Sequence, residues 1–324
     1  QRGAEPLMMK RALLVSLVAL AFSACATNMT PGDPMAADQP AATLHSWQPD
    51  TVPRAVVIAL HSHGDYHAAF NHVAPWFAER GIAVYSYDQA GFGKRDNPGR
   101  WPGHEQLEQD LSASIDAIRK HYDVPLFLLG ESLGGAVAIN VASQRPRGDI
   151  DGLILAAPAI REGIPFRLGW NALIGTAATM APGYTLRVER DADDPRFHGA
   201  SARRLANDPH VHREVRMDAY WGLIKLADRA SRRIRDVQQP TLLMYGGRDT
   251  SVPAESIRRG MRHVQENTDI TYRYYPQGIH LLLQSAAWET YLTQIEHWLS
   301  EQLQPASVQA TGAARVPLHQ AAAM

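Results

Sequence analysis

A serine at the centre of a G-x-S-x-G motif, residues 130–134, could act as a nucleophile. The motif follows a short apolar run, residues 126–129, and precedes a helix-like run, residues 135–142. A strand that ends in a tight turn and passes at once into a helix lifts one side chain clear of the sheet. The new helix also directs free N–H groups towards that side chain, where negative charge develops during acyl transfer. The pattern predicts that Ser132 is the nucleophile of an acyl-transfer reaction.

Such a serine needs a base, and the base needs an acid that orients it. After a turn of this kind, the acid and then the histidine follow the serine along the chain. Asp249 comes after the apolar run 241–245 and Gly246-Gly247-Arg248, so it lies in a loop at the end of a predicted strand. Asp228 and Asp236 are rivals, but both precede that strand. We predict that Asp249 is the acid.

His280 is the predicted base. Residues 270–275 alternate like a strand, and residues 276–278 turn the chain just ahead of the last predicted helix. His263 and His297 fall within helix-like segments that project their side chains elsewhere. The position of His280 after a strand end therefore distinguishes it from the other histidines.

Two N–H groups should stabilise the oxyanion that forms when the serine attacks a carbonyl. One is expected from Leu133, the residue after the nucleophile, and the other from the loop after an early strand. Residues 54–60 form that strand, and we call the following residues 61–65 the oxyanion loop. We predict that Asp65 N–H is the second donor, although an inward-pointing carboxylate there would oppose the developing charge.

The elements that must position these residues alternate between strand and helix. A helix is predicted over residues 67–80 and a buried strand over residues 82–87. A second helix is predicted over residues 106–121, and a further strand over residues 152–157. Strands separated by helices predict an α/β fold, with a mostly parallel, doubly wound sheet and helices on both faces.

Residues 159–236, which we call the cap, interrupt this alternation and are far longer than a direct crossover requires. Because the cap follows one sheet strand and precedes the Asp249 loop, it is predicted to lie over the catalytic edge. Its apolar first half suggests that Phe166, Trp170 and Ile174 form a wall for an acyl chain, although packing within the cap is the alternative. Its later half is basic and predicts a solvated face, formed by Arg203, Arg204, Arg213, Arg216, Arg229, Arg232 and Arg233.

Four segments together resemble the monoacylglycerol lipase and lysophospholipase branch of the α/β-hydrolases, which is similar to the serine aminopeptidase S33 group. They are His63-Gly64-Asp65, residues 88–93, residues 130–135, and Gly246-Gly247-Arg248-Asp249 with Gly278-Ile279-His280. The resemblance covers about residues 45–303 and implies an α/β-hydrolase fold that cleaves acyl esters of glycerol or lysophospholipids. Ala90 and Phe92 replace the arginine and histidine usual in that branch, which weakens any transfer of substrate identity.

Composition limits the remaining possibilities. A chain of 324 residues with 45% hydrophobic content can bury one large core. A net charge of −1 provides no field for holding nucleic acid, and a single cysteine excludes an internal disulfide. His61, His63 and His67 lack the spacing of a zinc site, so neither a metal nor another cofactor is expected.

The N-terminal region resembles a bacterial lipoprotein signal. Lys10-Arg11 is followed by an apolar run over residues 12–22 and by Ser23-Ala24-Cys25. The run is too short to span a bilayer and fits a secretory signal. The resemblance implies that Cys25 is lipidated and anchors the protein to the cell envelope, at the outer membrane in a Gram-negative cell. A plain signal peptide that contains a cysteine is the alternative.

The predicted organisation has five parts: a signal segment (1–25), a flexible tether (26–44), the hydrolase core (45–158 and 237–304), the cap (159–236), and a disordered tail (305–324). The function this predicts is that of an exported serine hydrolase of carboxylic esters. An acyltransferase or a short-chain esterase could use the same three residues. An aminopeptidase would need an acidic site for the substrate ammonium, and no clear acidic pair is recognisable in the cap. A non-catalytic surface lipoprotein is the remaining alternative.

Overall fold

A computed structural model of the protein describes Pro40 and residues 42–161, 167–252 and 269–304. The predicted signal with Cys25, most of the tether and the tail lie outside these residues. Phe166 and His263 also lie outside them, as does the side chain of Trp170. In the described part of the chain, no helix is both long and apolar enough to cross a membrane.

A seven-stranded sheet forms the centre of the fold. Its strands are β1 (His45–Trp47), β2 (Ala55–Leu60), β3 (Ile82–Ser86), β4 (Leu126–Glu131), β5 (Gly152–Ala156), β8 (Thr241–Gly246) and β9 (Ile270–Tyr275). Their order across the sheet is β1-β3-β2-β4-β5-β8-β9, and only β1 runs antiparallel to its neighbour. The predicted mostly parallel sheet is confirmed. Because the strands are parallel, the ends of β4, β8 and β9 reach the same edge.

Helices cover both faces of the sheet. The helices packed against it are α1 (Val73–Ala78), α2 (His104–His121), α3 (Leu133–Ala142), α6 (Met217–Arg233) and α7 (Trp288–Gln302). Two further helices, α4 (Arg167–Met180) and α5 (Gly199–Asn207), lie in the cap. Along β2, Val56 and Ile58 pack into the core shared with α2, α3 and α6, whereas Val57 and Ala59 pack into the core shared with α1 and α7. Side chains of a strand alternate between faces, so β2 is apolar throughout because both faces are buried.

The prediction of a single helix over residues 67–80 is wrong. The chain instead forms a short 3₁₀ helix, His67–Phe70, followed by α1. Pro75 explains the break, because proline has no N–H and clashes with the preceding turn when it lies inside a helix. In α1 it is the third residue, where no intrahelical donor is needed.

The cap contains α4, α5 and α6 and a two-stranded antiparallel ribbon, β6 (Thr185–Arg187) with β7 (Glu214–Arg216). Ile174 is buried in a small core with Ala178, Met217 and Ile224. That packing holds α4 against α6. For Ile174 it matches the alternative of packing within the cap.

Candidate active site

Ser132 occupies a strained turn between β4 and α3. Its backbone angles, φ 53° and ψ −110°, lie outside the regions that residues with side chains ordinarily adopt. A Cβ atom at Gly134 would clash with the Leu60 carbonyl oxygen, and one at Gly130 would lie 2.5 Å from Gly135 N. Only glycine fits at both positions, and the sharp turn depends on that fit. Strain of this kind is characteristic of functional sites, where the surrounding structure holds it in place.

The structure brings Ser132, His280 and Asp249 into one hydrogen-bonded series. His280 Nε2 lies 2.8 Å from Ser132 Oγ, and His280 Nδ1 lies 2.7 Å from Asp249 Oδ2. The carboxylate can only accept, so Nδ1 carries the proton and Nε2 accepts from the serine hydroxyl. This arrangement can activate a serine as a nucleophile, with the imidazole as base.

Backbone contacts between the loops after β8 and β9 hold the acid beside the histidine. Gly247 N donates to Tyr275 O at 2.8 Å, and Arg248 N donates to Gly278 O at 2.9 Å. Asp249 Oδ1 accepts from Ser251 N and Val252 N at 2.7 and 2.8 Å, which leaves Oδ2 for His280. The Asp249 side chain has no exposed surface. Its orientation is therefore set by both loops together.

The other acids and histidines considered from the sequence lie elsewhere. The Asp236 side chain is largely exposed and lies 3.8 Å from Arg235, while the His297 side chain on α7 is 72% exposed beside Glu301. Asp228 lies within α6. Among the described residues, no cluster of three or more potential metal ligands occurs.

The predicted second oxyanion donor, Asp65, needs correction. Its N–H donates to the Ser62 carbonyl at 3.2 Å and is therefore engaged within the oxyanion loop. The residues of this loop that line the cavity containing Ser132 are Ser62 and His63. The local sequence could not distinguish these neighbours, because the direction of each N–H depends on how the loop folds back on itself. Leu133 begins α3, so its N–H has no acceptor within that helix.

Buried side chains of the oxyanion loop itself and of residues 89–92 hold the loop in place. His61 Nδ1 donates to Ser62 O at 2.9 Å, and His61 Nε2 accepts from Gln89 N at 3.0 Å. Burial lowers the pKa of His61, which keeps the ring neutral with both nitrogens used. Phe92 packs edge-on against His61 and His63. Phe92, which replaces the histidine usual in the related branch, therefore packs against two histidines of the oxyanion loop.

Arg204 of α5 contradicts the prediction of a solvated basic face. Its guanidinium forms a two-pronged ion pair with Asp65, and only 13% of its side chain is exposed. Burial disfavours the charged form, but the Asp65 carboxylate raises the pKa of Arg204 above its usual value. The inward-pointing carboxylate at Asp65 is therefore neutralised by a cap residue.

Glu131, the residue before the nucleophile, is a buried carboxyl group that the sequence analysis did not single out. It accepts from Leu283 N at 3.0 Å and from Gln284 Nε2 at 3.2 Å. Burial raises the pKa of Glu131 to about 7, an effect that these hydrogen bonds partly oppose. Its position inside the motif was visible in the sequence, but its burial and partners were not.

A cavity of about 850 Å³ contains Ser132 and His280 in its wall. Much of the remaining wall comes from the cap and is apolar, including Ala202, Leu205, Val215, Leu223 and Ile224. Of the three cap residues named from the sequence, Ile174 is not among the lining residues and is buried in the small core between α4 and α6. Phe166 and the side chain of Trp170 lie outside the described residues. Arg161, Arg190 and Arg248 also line the cavity and present positive charge to it.

Three cap carboxylates line the same cavity, although no acidic pair was recognised in the sequence. They are Glu189, Asp191 and Asp194, from an acidic run that could have indicated them. Glu189 lies 3.4 Å from Arg187, and Asp194 lies 2.7 Å from Arg196. Two of the three are therefore already paired with arginines of the same segment.

A family model described as serine aminopeptidase, S33, matches residues 51–286. The chain is also similar to the monoacylglycerol lipase of Mycolicibacterium smegmatis. The two are 25% identical over 269 residues, which cover 79% of this chain and 92% of that protein.

Solved structures share the fold. The monoacylglycerol lipase of Paleococcus ferrophilus superimposes with a TM-score of 0.67 at 22% identity, over 81% of this chain and 99% of its own. A soluble variant of monoglyceride lipase from Saccharomyces cerevisiae, solved with a substrate analogue, gives 0.68 at 18% identity, over 82% and 94%. At these identities the likeness establishes an α/β-hydrolase fold.

Proposed function

The chain belongs to the serine aminopeptidase S33 family of α/β-hydrolases, and on that premise we propose that it hydrolyses carboxylic esters through a covalent acyl-enzyme. The observation that carries this proposal is the hydrogen-bonded series from Ser132 through His280 to Asp249, located in the wall of a large cavity. A nucleophile, a base and an orienting acid in contact are the arrangement that performs acyl transfer through serine on several unrelated folds.

In the proposed reaction, Ser132 Oγ attacks the ester carbonyl while His280 Nε2 takes the hydroxyl proton. The resulting imidazolium is stabilised by Asp249 and returns the proton to the leaving alcohol, which leaves an acyl-serine. A water molecule then attacks the acyl-serine, with His280 again acting as base, and the fatty acid is released. Asp249 also keeps the proton on Nδ1, so that Nε2 faces the serine in each half of the reaction.

We assign the oxyanion donors to the backbone N–H groups of Leu133 and His63. The Ser62 carbonyl is bound by Asp65 N and His61 Nδ1. In a planar trans peptide, the N–H points opposite to the carbonyl of the same peptide group. The His63 N–H therefore points away from those partners, and Ser62 and His63 both line the cavity. This geometry supports His63 in the role that the sequence analysis gave to Asp65.

The proposed substrates are acyl esters with a polar head, such as monoacylglycerols or lysophospholipids. The apolar cap residues favour an acyl chain, because burying each methylene group contributes about 0.8 kcal/mol. Arg161, Arg190 and Arg248 would favour a polar or anionic head group over a second chain. The monoacylglycerol lipase among the relatives agrees with this substrate class.

An aminopeptidase is the second candidate, because Glu189, Asp191 and Asp194 line the cavity and could hold a substrate ammonium. The pairing of Asp194 with Arg196 counts against it, since that carboxylate is largely buried and already has a cationic partner. An acyltransferase would use the same three residues and pass the acyl group to an alcohol. For the envelope location, we propose lipidation at Cys25, which lies outside the described residues.

Rates of fatty-acid release from monoacylglycerols, lysophospholipids and acetate esters, measured beside arylamine release from amino-acid anilides, test the proposal. Fatty-acid release from the esters without arylamine release from the anilides is the expected result. Adding an acceptor alcohol and analysing the products separates hydrolysis from acyl transfer. Arylamine release without fatty-acid release would favour the aminopeptidase instead.

A further inference from the structure

A buried ion pair joins the cap to the oxyanion loop. Arg204 projects from α5 and donates to both carboxylate oxygens of Asp65, at 2.8 Å for Nη2 to Oδ2. The Asp65 side chain is only 2% exposed. Its Oδ1 also accepts from Tyr66 N at 2.8 Å, which ties the carboxylate to the end of the loop. The guanidinium therefore acts on the conformation of this loop through Asp65.

The same guanidinium reaches the segment that follows His280. Arg204 Nη2 donates to Gln284 Oε1 at 2.7 Å. Gln284 Nε2 lies 3.1 Å from Asp65 Oδ2 and 3.2 Å from Glu131 Oε2. Glu131 directly precedes Ser132 in the chain. Arg204 thus contacts the oxyanion loop and the segment after His280 directly. Through Gln284 it is also linked to Glu131, beside the nucleophile.

Further contacts fix the cap segment after α5 to the same loop. His212 N donates to Gly64 O at 2.7 Å, and the Tyr66 hydroxyl donates to Asp208 Oδ2 at 2.5 Å. Arg204 also lies over the Tyr66 ring, 5.6 Å from its centroid. The loop is therefore held from the cap side at Gly64, Asp65 and Tyr66, the residues that follow directly after the proposed His63 donor.

The negative charge of Asp65 explains why an arginine lies at position 204. An ionised carboxylate at Asp65 would repel the oxyanion that forms nearby, and a buried charge without a partner is costly. Arg204 removes both difficulties, since it offsets the charge of the carboxylate and donates to both of its oxygens. A planar guanidinium can bind two oxygens at once, which a lysine ammonium cannot do with the same geometry.

We propose that Arg204 is a positioning residue that couples cap docking to the geometry of the oxyanion hole. When the cap is seated, Arg204 holds Asp65 so that the Ser62–His63 peptide presents its N–H to the substrate. When the cap is displaced, Asp65 loses its partner and the donor moves. This inference rests on the proposed ester hydrolysis for its consequence in turnover, but its structural part does not.

The test compares Arg204→Gln and Arg204→Lys with Arg203→Gln in the full chain. Arg203 is the matched control, because it is the preceding residue of the same helix and is exposed. Active sites are first titrated with a fluorophosphonate so that turnover is expressed per competent site. A loss of fold alone would lower the number of titrated sites and leave the turnover of each site unchanged.

Turnover per titrated site should fall about 10- to 100-fold in Arg204→Gln, the scale expected when a reacting group is misplaced by about 1 Å. Arg204→Lys should fall between this variant and the wild type, and Arg203→Gln should match the wild type. The inhibition constant of an acyl trifluoromethyl ketone, which forms an oxyanion on Ser132, should rise by the same factor. Binding of the corresponding ether, which forms no oxyanion, should not change.

Amide hydrogen exchange supplies a readout that needs no substrate. Arg204→Gln should increase exchange in residues 62–66 and 281–285, and Arg203→Gln should leave both segments at the wild-type rate. Unchanged exchange in Arg204→Gln would overturn the inference, whether or not esters are cleaved. Equal loss of ketone and ether binding would also overturn it. Increased exchange in Arg204→Gln together with a wild type that cleaves no ester would instead contradict the proposed function.

Discussion

His280 Nε2 lies 2.8 Å from Ser132 Oγ, although 148 positions separate the two residues in the chain. The contact arises because β4 and β9 are parallel members of one sheet, so that the segments following their C-terminal ends emerge at one edge. Asp249 follows β8, which lies beside β9 in the same sheet. The contacts among Ser132, His280 and Asp249 therefore depend on this shared edge.

Replacement of Ser132 by alanine removes the proposed nucleophile. Turnover of a short acyl ester should fall by at least ~10³-fold, the scale observed when a member of such a triad is removed. Labelling by a fluorophosphonate probe, read by intact-protein mass spectrometry, should disappear in the same variant. Ser143→Ala, at the end of α3, is the control and should keep both properties. Retained turnover in Ser132→Ala would end the serine-hydrolase interpretation.

Asp249→Asn should leave the fold intact and lower turnover by about 10²- to 10⁴-fold, because an amide favours the wrong tautomer of His280. Steady-state kinetics with thermal unfolding as a check on folding measure this effect. Asp236→Asn is the matched control, since its side chain is largely exposed. If Asp236→Asn were inactive and Asp249→Asn fully active, the acid would have been assigned to the wrong residue.

Glu131 should make the protein less stable as the pH rises. Burial raises the pKa of Glu131 from 4.5 to about 7, so between these values the unfolded chain releases a proton that the folded chain retains. The free energy of unfolding therefore falls across this interval, by about 3 kcal/mol from this group, and levels off above it.

Glu131→Gln carries no titrating group and should lack that part of the decrease. Urea unfolding at matched pH values should show the variant gaining stability relative to the wild type from about pH 5 to about pH 7. Parallel curves for the two proteins across that range would show that Glu131 does not titrate in this way.

Acyl-chain length should determine catalytic efficiency. Each methylene group that enters the apolar cavity is expected to raise kcat/KM about fourfold, from acetate esters up to the depth of the cavity. Leu223→Ala removes part of this wall and should flatten the increase without changing the acetate rate. Leu173→Ala, on the exposed side of α4, is the matched control. A preference for acetyl esters in all three proteins would favour a short-chain esterase.

Lipidation at Cys25 should hold the protein at the membrane, because two acyl chains suffice for stable anchoring whereas one is marginal. Cys25→Ser should move the protein to the soluble fraction or block its processing. Fractionation of expressing cells and metabolic labelling with a fatty-acid analogue measure both outcomes. An unlabelled wild type would exclude lipidation and leave the plain signal peptide.

Much of the fold could be predicted because its signals are local. Strands that are buried on both faces are apolar throughout, as in β2. The turn around Ser132 is marked by Gly130 and Gly134, which lie too close to neighbouring backbone to carry a side chain. The positions of Asp249 and His280 after strand ends follow from the order of elements in a parallel sheet. The prediction of one helix over residues 67–80 was wrong because Pro75 can lie only in the first turn of a helix, so the helix begins at Val73.

The sequence by itself determined which residues could do chemistry and which strands would carry them, because propensity, periodicity and chain order are properties of neighbouring residues. Only the tertiary structure decided that the Asp65 N–H is engaged, because that contact depends on how the oxyanion loop folds back onto the Ser62 carbonyl. It also decided that Arg204 is buried against Asp65, a partner 139 positions away. Nothing in the local pattern of a basic helix distinguishes a solvated arginine from a paired one, because the difference lies in what the fold brings to it.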